Sequence, residues 1–482
     1  MAKKIYFICL TIWLGICAVF ASETDDDDKK IALGNKTSLL SLEDCIELAT
    51  KQNRDLIRQE EDFIIKNLSY ALIRHSYSPL LSGTLGTDYN KDGTISKNAE
   101  ISLTKKLPTG GDIGISARTS AISDSDIDPD SYNSTIGLKY VQPLLKNAGT
   151  LTSMEALTSS ERELKYAERS LILFKQDFLI SIIRQYCRLL QQKKAISNQE
   201  QKVENAKFLL ERSKAQMDRG RASPIDVYRA EISLLQAEND LLNSKDSYQL
   251  ALDEFKLDLG LPSEYEIDLE ERELHYSSDM KSAEEYFKLA LDNRLDYKTA
   301  YEKVIDSKRK LDIARNKLRS RLDLDFSIQT QAGPSNTFSE QDFGEGEWVI
   351  GLEYEIPFDR TREKKDYRES IIDYLQKTRN REALRDRIVN EVRVVMRDIR
   401  KAEMTIKIQE RNIEVAEKQL ERAKEDYDRG AITNRDYVDA LNDLTDAKNN
   451  FDAAIVDFFI ANLERMRVTG TLDYEKWKDL IK

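Results

Sequence analysis

Chain breakers are scarce here: 482 residues contain only 18 glycines and 8 prolines. That poverty excludes a loop-rich globule and favours long uninterrupted helices. Imidazole is scarcer still, limited to His75 and His275, and there are four cysteines. Soft-metal sites, haem ligation and histidine-dependent hydrolytic triads have almost nothing to draw on. His75 reads as a surface or interface residue, and His275 lies in a linker with nothing to pair with. No catalytic, cofactor-binding or metal-binding residue is assigned, and the chain reads as a non-enzyme. Excess positive charge is missing too, since 74 Lys and Arg face 86 Asp and Glu for a net charge of −12. Nucleic acid is therefore not an expected partner, because neutralising phosphates takes clustered cations. Beyond the first residues there is also no apolar run of about 18, so the mature chain has no transmembrane helix.

What is present begins with a leader. Lys3 and Lys4 precede the apolar run from Ile5 to Phe20, which ends at Ala21 before Ser22. A basic start, a short hydrophobic stretch and suitable residues at Val19 and Ala21 predict a secretory signal over residues 1–21. A retained membrane anchor is the lesser alternative. Lipid attachment at Cys17 is disfavoured by the bulky Ile16 before it. Residues 22–40, with Asp25 to Asp28, read as an acidic, disordered leader. Cleavage leaves Cys45 and Cys187, each in an apolar helical pattern, and two buried thiols are favoured over one disulfide.

The chain is written twice. Residues 211–260 and 421–470 align without a gap, with 14 of 50 positions identical. Asp218-Arg219-Gly220 meets Asp428-Arg429-Gly430, Asp226 meets Asp436, and Gly260 meets Gly470. A second register joins Ser41, Glu43 and Ala49 to Ser282, Glu284 and Ala290. Duplication of one unit is the economical account. It divides the chain into a first repeat (41–260), a linker (261–281), a second repeat (282–470) and a tail (471–482).

Each repeat reads helix, strands, very long helix, turn, helix. Residues 154–218 and 359–429 contain neither Gly nor Pro, which predicts two helices roughly 100 Å long. The returning helices, over 225–258 and 434–467, measure about 50 Å, and the opening helices, over 41–77 and 282–319, about 55 Å. A returning helix stacked on an opening helix thus matches one long helix, as in a cylinder wall of constant height. Two adjacent apolar seams along 225–258 allow a neighbour on each side.

Strand signals fall within 80–142 and 321–357. Leu322 to Ile328, Trp348 to Ile356 and Ile136 to Tyr140 alternate apolar with polar, and Leu81 to Tyr89 does so weakly. An additional hairpin, Ile101–Leu107 and Ile113–Ala117, turns about Pro108-Thr109-Gly110-Gly111. Asp323, Asp325, Glu353 and Glu355 opposite large apolar residues suit a barrel wall with lipid outside and water within. Trp348, Tyr354 and Tyr140 suit the interfacial belt. So few strands cannot close around a lumen, and open edges are not tolerated in hydrocarbon. Closure therefore demands several copies. The competing class is a periplasmic coiled-coil scaffold without a membrane barrel, which accounts for the helices and the acidity but not for the strands.

These features together resemble the outer-membrane efflux protein family, also called the TolC family. The resemblance spans Ser41 to Gly470 and rests on Ser41-Leu42-Glu43-Asp44 with Ala49 and Asn53, on Val141-Gln142-Pro143-Leu144-Leu145, on Ile356-Pro357-Phe358, and on the hairpin Tyr427 to Tyr437. It implies a mainly α fold with transmembrane β. It implies a homotrimer, in which three chains of four principal strands make a 12-stranded barrel continuous with a twelve-helix periplasmic tunnel. It implies an outer-membrane exit duct for an inner-membrane pump or type I secretion transporter, joined by a periplasmic adaptor. The resemblance also assigns residues. Asp436 and Asp439, three apart on one helix face, match constricting carboxylates of the tunnel mouth, whose crowding would raise their pKa values. Asp226 and Tyr427 match a gate-locking pair; an arginine the family often adds falls at Ile432, leaving Arg429 or Arg435 to replace it. Arg219, Gly220, Arg429 and Gly430 match the hairpin tips that face the adaptor. A plainer reading has Asp226 capping the helix after Pro224 and Tyr427 packing along a seam.

Overall fold

The structure, a computed structural model, describes residues 38–474 other than 90, 92–94, 125–126, 221–222, 263, 272–281, 333–342 and 430. The expected signal, most of the acidic leader, His275, Gly430 and the end of the tail lie outside the described residues. The chain opens with β1 (Ser38–Leu40), α1 (Leu42–Gln52) and α2 (Arg54–His75). Four strands follow: β2 (Leu80–Tyr89), β3 (Ile95–Lys106), β4 (Asp112–Asp124) and β5 (Ile127–Pro143). After a short turn of helix, α3 (Thr150–Ser153), comes the first long helix, α4 (Glu155–Asp218), and its return α5 (Pro224–Asp258). Next are β6 (Ile267–Leu269), α6 (Ala283–Asn293), α7 (Leu295–Lys317), β7 (Arg321–Gln331) and β8 (Glu347–Glu355). The second long helix, α8 (Thr361–Asp428), and its return α9 (Asn434–Thr469) close the order.

The two long helices hold 64 and 68 residues, so each runs about 100 Å. Their returns hold 35 and 36, or about 53 Å. The opening helices are not continuous as expected from 41–77 and 282–319. Each breaks once, after 11 residues, at Asn53 and at Arg294, where ψ turns to 122° and 124°. The cause is the arriving return helix. Asn53 accepts from the backbone N–H of Asp55 and Leu56 at 2.9 and 3.0 Å, while its amide donates to Asp258 O at 2.8 Å. Gly260 then turns with φ +77°, and a Cβ there would lie 2.4 Å from Gln52 O. At the equivalent joint Arg294 bridges Asp296 at 2.7 Å and Glu391 at 2.5 Å. Gly470 turns there with φ +66°, and its Cβ would lie 3.0 Å from Arg294 N.

The principal core sits at the first joint. Cys45 and Cys187 are both buried within it, beside Tyr186, Phe255 and Leu259. Burial, then Asp44, pushes the Cys45 thiol up to about 12. Two short strands, which three-residue patterns cannot announce, brace this region: β1 pairs with β6 in parallel, Leu40 opposite Leu269. Above the joints, ion pairs clasp α4 to α7. Arg309 reaches Glu155 at 2.7 Å, and Arg162 and Arg169 both hold Glu302 at 2.8 Å.

The six remaining strands form one antiparallel sheet in the order β2-β3-β4-β5-β7-β8. The expectation of four principal strands per chain is therefore revised: the additional hairpin is in the sheet, as β3 and β4, between β2 and β5. Pairing register aligns side chains in rows. One row reads Leu81, Leu103, Ile115, Leu138, Ile328, Trp348. The adjacent row reads Ser82, Ser102, Ser116, Gly137, Gln329, Glu347. Successive residues of a strand point to opposite faces, so one face of the whole sheet is apolar and the other polar. Apolar side chains on the first face are open in the single chain, Leu81 at 73% and Leu352 at 68%. Trp348 and Tyr354 lie at opposite ends of β8, about 20 Å apart at strand rise, a spacing close to that of aromatic girdles. β2 and β8 are open edges of this sheet.

Both joint glycines are tested by alanine. Gly260→Ala and Gly470→Ala should each lower unfolding free energy by about 1–2 kcal/mol for the positive φ, with the greater loss at Gly260 from the backbone clash. Equal stability of either variant and the parent in denaturant titration would contradict the joint as described.

Candidate functional site

The hairpin ends lie one long helix away from the sheet. Glycine makes the first turn: Gly220 adopts φ +73° with no neighbour that a Cβ would meet, so conformation rather than space requires it. Its N–H donates to Met217 O at 2.8 Å. At the second turn Ala431 N donates to Asp426 O at 2.8 Å, and Arg429 pairs with Asp426 at 2.9 Å and Glu425 at 3.7 Å. Arg219 and Arg429 thus close the two long helices at the turns, Arg219 beside Gly220.

Each return helix begins with the same device. Ser223 donates to Asp226 Oδ2 from its N–H at 3.0 Å and its hydroxyl at 2.8 Å. Thr433 donates to Asp436 Oδ2 from its N–H at 2.9 Å and its hydroxyl at 2.7 Å. These are capping boxes, with Asp in the third helical position. Hydroxyl and backbone donors hold both carboxyls below the usual carboxylate range. These donors act within one chain and favour the charged form, whereas the rise expected from crowding at Asp436 and Asp439 arises between copies. Asp439 is exposed on the same face, with Arg435 at 3.6 Å. Asp436 and Asp439 therefore do share one open helix face, but each already has a partner.

Tyr427 lies in an apolar seam of the single chain. Its ring is buried against Leu209 and stacks on Tyr437, centroids 5.6 Å apart. Its hydroxyl meets Ser213 Oγ at 3.2 Å, so α4 and α8 are tied across the hairpins. Arg212 lies over the same ring at 5.7 Å and pairs with Asp428. Ile432 packs into this apolar cluster, while Arg429 and Arg435 serve Asp426 and Asp439. Asp226 is engaged with Ser223, as the plainer capping reading had it. Ser213, Arg212 and Thr433 were missed. The Ser/Thr-x-x-Asp pattern at positions 223 and 433 was a readable signal; nothing local marked Ser213.

The likeness to known proteins now falls into place. Residues 105–260 and 287–455 match the family model for outer membrane efflux proteins, and the chain belongs to that family. Its fold is similar to solved outer-membrane proteins of low identity. VceC from Vibrio cholerae is 16% identical, with a TM-score of 0.69 over 89% of this chain and 96% of that one. CmeC of Campylobacter jejuni is 14% identical, with a TM-score of 0.67 over 92% and 89%. The open state of MtrE from Neisseria gonorrhoeae is 12% identical, with a TM-score of 0.64 over 89% and 88%. No curated protein matches the sequence. The protein is an outer-membrane channel that extends into the periplasm and serves as an exit duct in efflux. A barrel-free periplasmic scaffold is disfavoured by that membership and by the amphipathic sheet.

If the Tyr427 hydroxyl latches the mouth through Ser213, Ser213→Ala and Tyr427→Phe should each raise single-channel conductance, and the double variant no further. Additive effects would show two independent contacts. Asp226→Ala, which loosens a helix start, should add to either.

Proposed function

We propose that three copies of the chain assemble into one duct, a barrel in the outer membrane above a twelve-helix tunnel. A periplasmic adaptor and an inner-membrane pump or type I secretion transporter complete the pathway. The carrying observation is the six-stranded sheet with one apolar face and two open edges. Hydrocarbon offers no partner to a free strand edge, so the edges must be sealed by other copies. β2 runs from the joint side outward and β8 returns, so β8 of one copy and β2 of the next would pair antiparallel. Stacking supports the tunnel: opening and return helices together match the long helices in length, in both halves. The same match, with Gly260 and Gly470 at equivalent joints, supports an internal twofold duplication.

The hairpin tips Arg219, Gly220, Arg429 and Gly430 are proposed to face the adaptor. Asp436 and Asp439 are proposed to constrict the mouth, three copies supplying six carboxylates to a narrow cation-attracting throat. Asp226 and Tyr427 remain a proposed lock, acting through the two capped and stacked environments described. Energy comes from the inner-membrane partner, and the duct opens by realigning helices at its inner end.

Two measurements test this. The protein should stay with the membrane in alkaline carbonate; release would restore the scaffold reading. In planar bilayers Asp436→Asn with Asp439→Asn should weaken cation selectivity several-fold, whereas Arg435→Ala should strengthen it by freeing Asp439. The Asp436 contribution also has a pH sign. Its folded pKa is depressed, so its charge and the cap it stabilises are complete above the ordinary carboxylate pKa. Both fade only as pH falls through the lower folded value. Selectivity that is unchanged in the double variant would remove these residues from the throat.

A further inference from the structure

We infer that the barrel has eighteen staves rather than twelve, and that its bore matches the tunnel beneath it. This rests on the three-copy reading above. The additional hairpin behaves as wall in every respect the structure shows. β3 and β4 hold 12 and 13 residues, enough to cross a bilayer, for which a tilted strand needs about 9–11. Both are paired along their length, Leu80–Tyr89 against Ile95–Thr104 and Asp112–Ile122 against Ser131–Val141. The apolar row and the polar row pass through them without a break. Leu103 and Ile115 continue the apolar row, and Ser102 and Ser116 the polar one. On the polar face Glu100 stands opposite Arg118.

The turn between them is also built into the base of the sheet. Thr109 donates its hydroxyl to Gln142 Oε1 at 2.8 Å, and Gln142 returns a bond from Nε2 to Thr109 O at 3.2 Å. Gly149 N donates to Thr109 O at 2.9 Å, and the Ser153 hydroxyl donates to Pro108 O. Gly110, at φ +95°, could not carry a Cβ, which would come 2.8 Å from Asn147 O. The hairpin is thus pinned to the strand end and helix start that every copy must place at the barrel rim. A loop excursion would need no such anchorage.

Circumference then discriminates between the counts. With strands about 4.8 Å apart and tilted about 40°, twelve staves span roughly 75 Å and eighteen roughly 110 Å. Twelve helices about 9–10 Å apart span roughly 110–120 Å. At this tilt eighteen staves match the girth of the tunnel, and barrels of 16–18 strands hold an aqueous channel. The width of cargo is limited at the hairpin mouth, not at the exit. The duct fits solutes as bulky as the open tunnel itself admits, an extended polypeptide included.

The test uses the full-length protein in liposomes, with single cysteines read by a water-soluble maleimide. Ser102→Cys and Ser116→Cys should label as readily as Ser327→Cys on β7. Leu103→Cys and Ile115→Cys should resist labelling like Leu138→Cys; buried Cys45 and Cys187 stay silent. Electron microscopy of the same sample should resolve eighteen strands. Labelling of all four hairpin positions, or a ring of twelve strands in a trimer, would overturn the inference. A complex of other than three copies would instead overturn the trimer reading and the number eighteen. The labelling pattern would then still show six wall strands per copy.

Discussion

Water cannot reach a strand edge inside hydrocarbon, and that constraint organises everything above it. One chain makes a sheet with an apolar face and two unpaired edges, a structure that is unstable alone in either solvent. In water the apolar face is exposed; in lipid the edge amides are unpaired, at several kcal/mol per group. Only closure removes both penalties. In the proposed assembly the helices answer to the same demand, since a barrel built from several copies needs a lower wall that holds those copies in register. The stacked joints give that wall a uniform height, and the glycines at 260 and 470 let a return helix end against the bend of an opening helix.

Much of this was legible in the sequence, and for physical reasons. Residues 154–218 and 359–429 contain no breaker, and helices of 64 and 68 residues are what such stretches form. Period-two alternation marked β7 and β8 because a barrel wall imposes it on every strand. The breaks at Asn53 and Arg294 were not legible, although Asn53 is a good helix cap. What bends each opening helix is the end of a return helix some 200 residues further along the chain. β1 and β6 are too short to carry a pattern. The hairpin around Gly110 was seen as strands, but its place between β2 and β5 belongs to pairing register, which alternation alone does not specify.

The hairpin mouth shows the opposite balance. Asp226 and Asp436 were readable as equivalent positions, and the Ser and Thr three residues before them are the ordinary sign of a capping box. For Asp226 that local role is legible beside Pro224; for Asp436 the charge suggests a throat before it suggests a cap. The Tyr427 hydroxyl finds Ser213, 214 residues away, and only folding could place the two together. In the proposed throat, Asp436 caps its helix and faces the opening without conflict, because the hydrogen bonds from Thr433 use one oxygen, Oδ2. The same bonds keep the group charged, which a cation-attracting throat requires.

The most direct measurement of the central claim is a cross-link between sheet edges of separate copies. A photoreactive amino acid placed at Val349 on β8 should, in intact membranes, join residues of β2 from another copy and yield a ladder ending at three chains. Adducts confined to one chain, or to lipid alone, would contradict a wall sealed by neighbours.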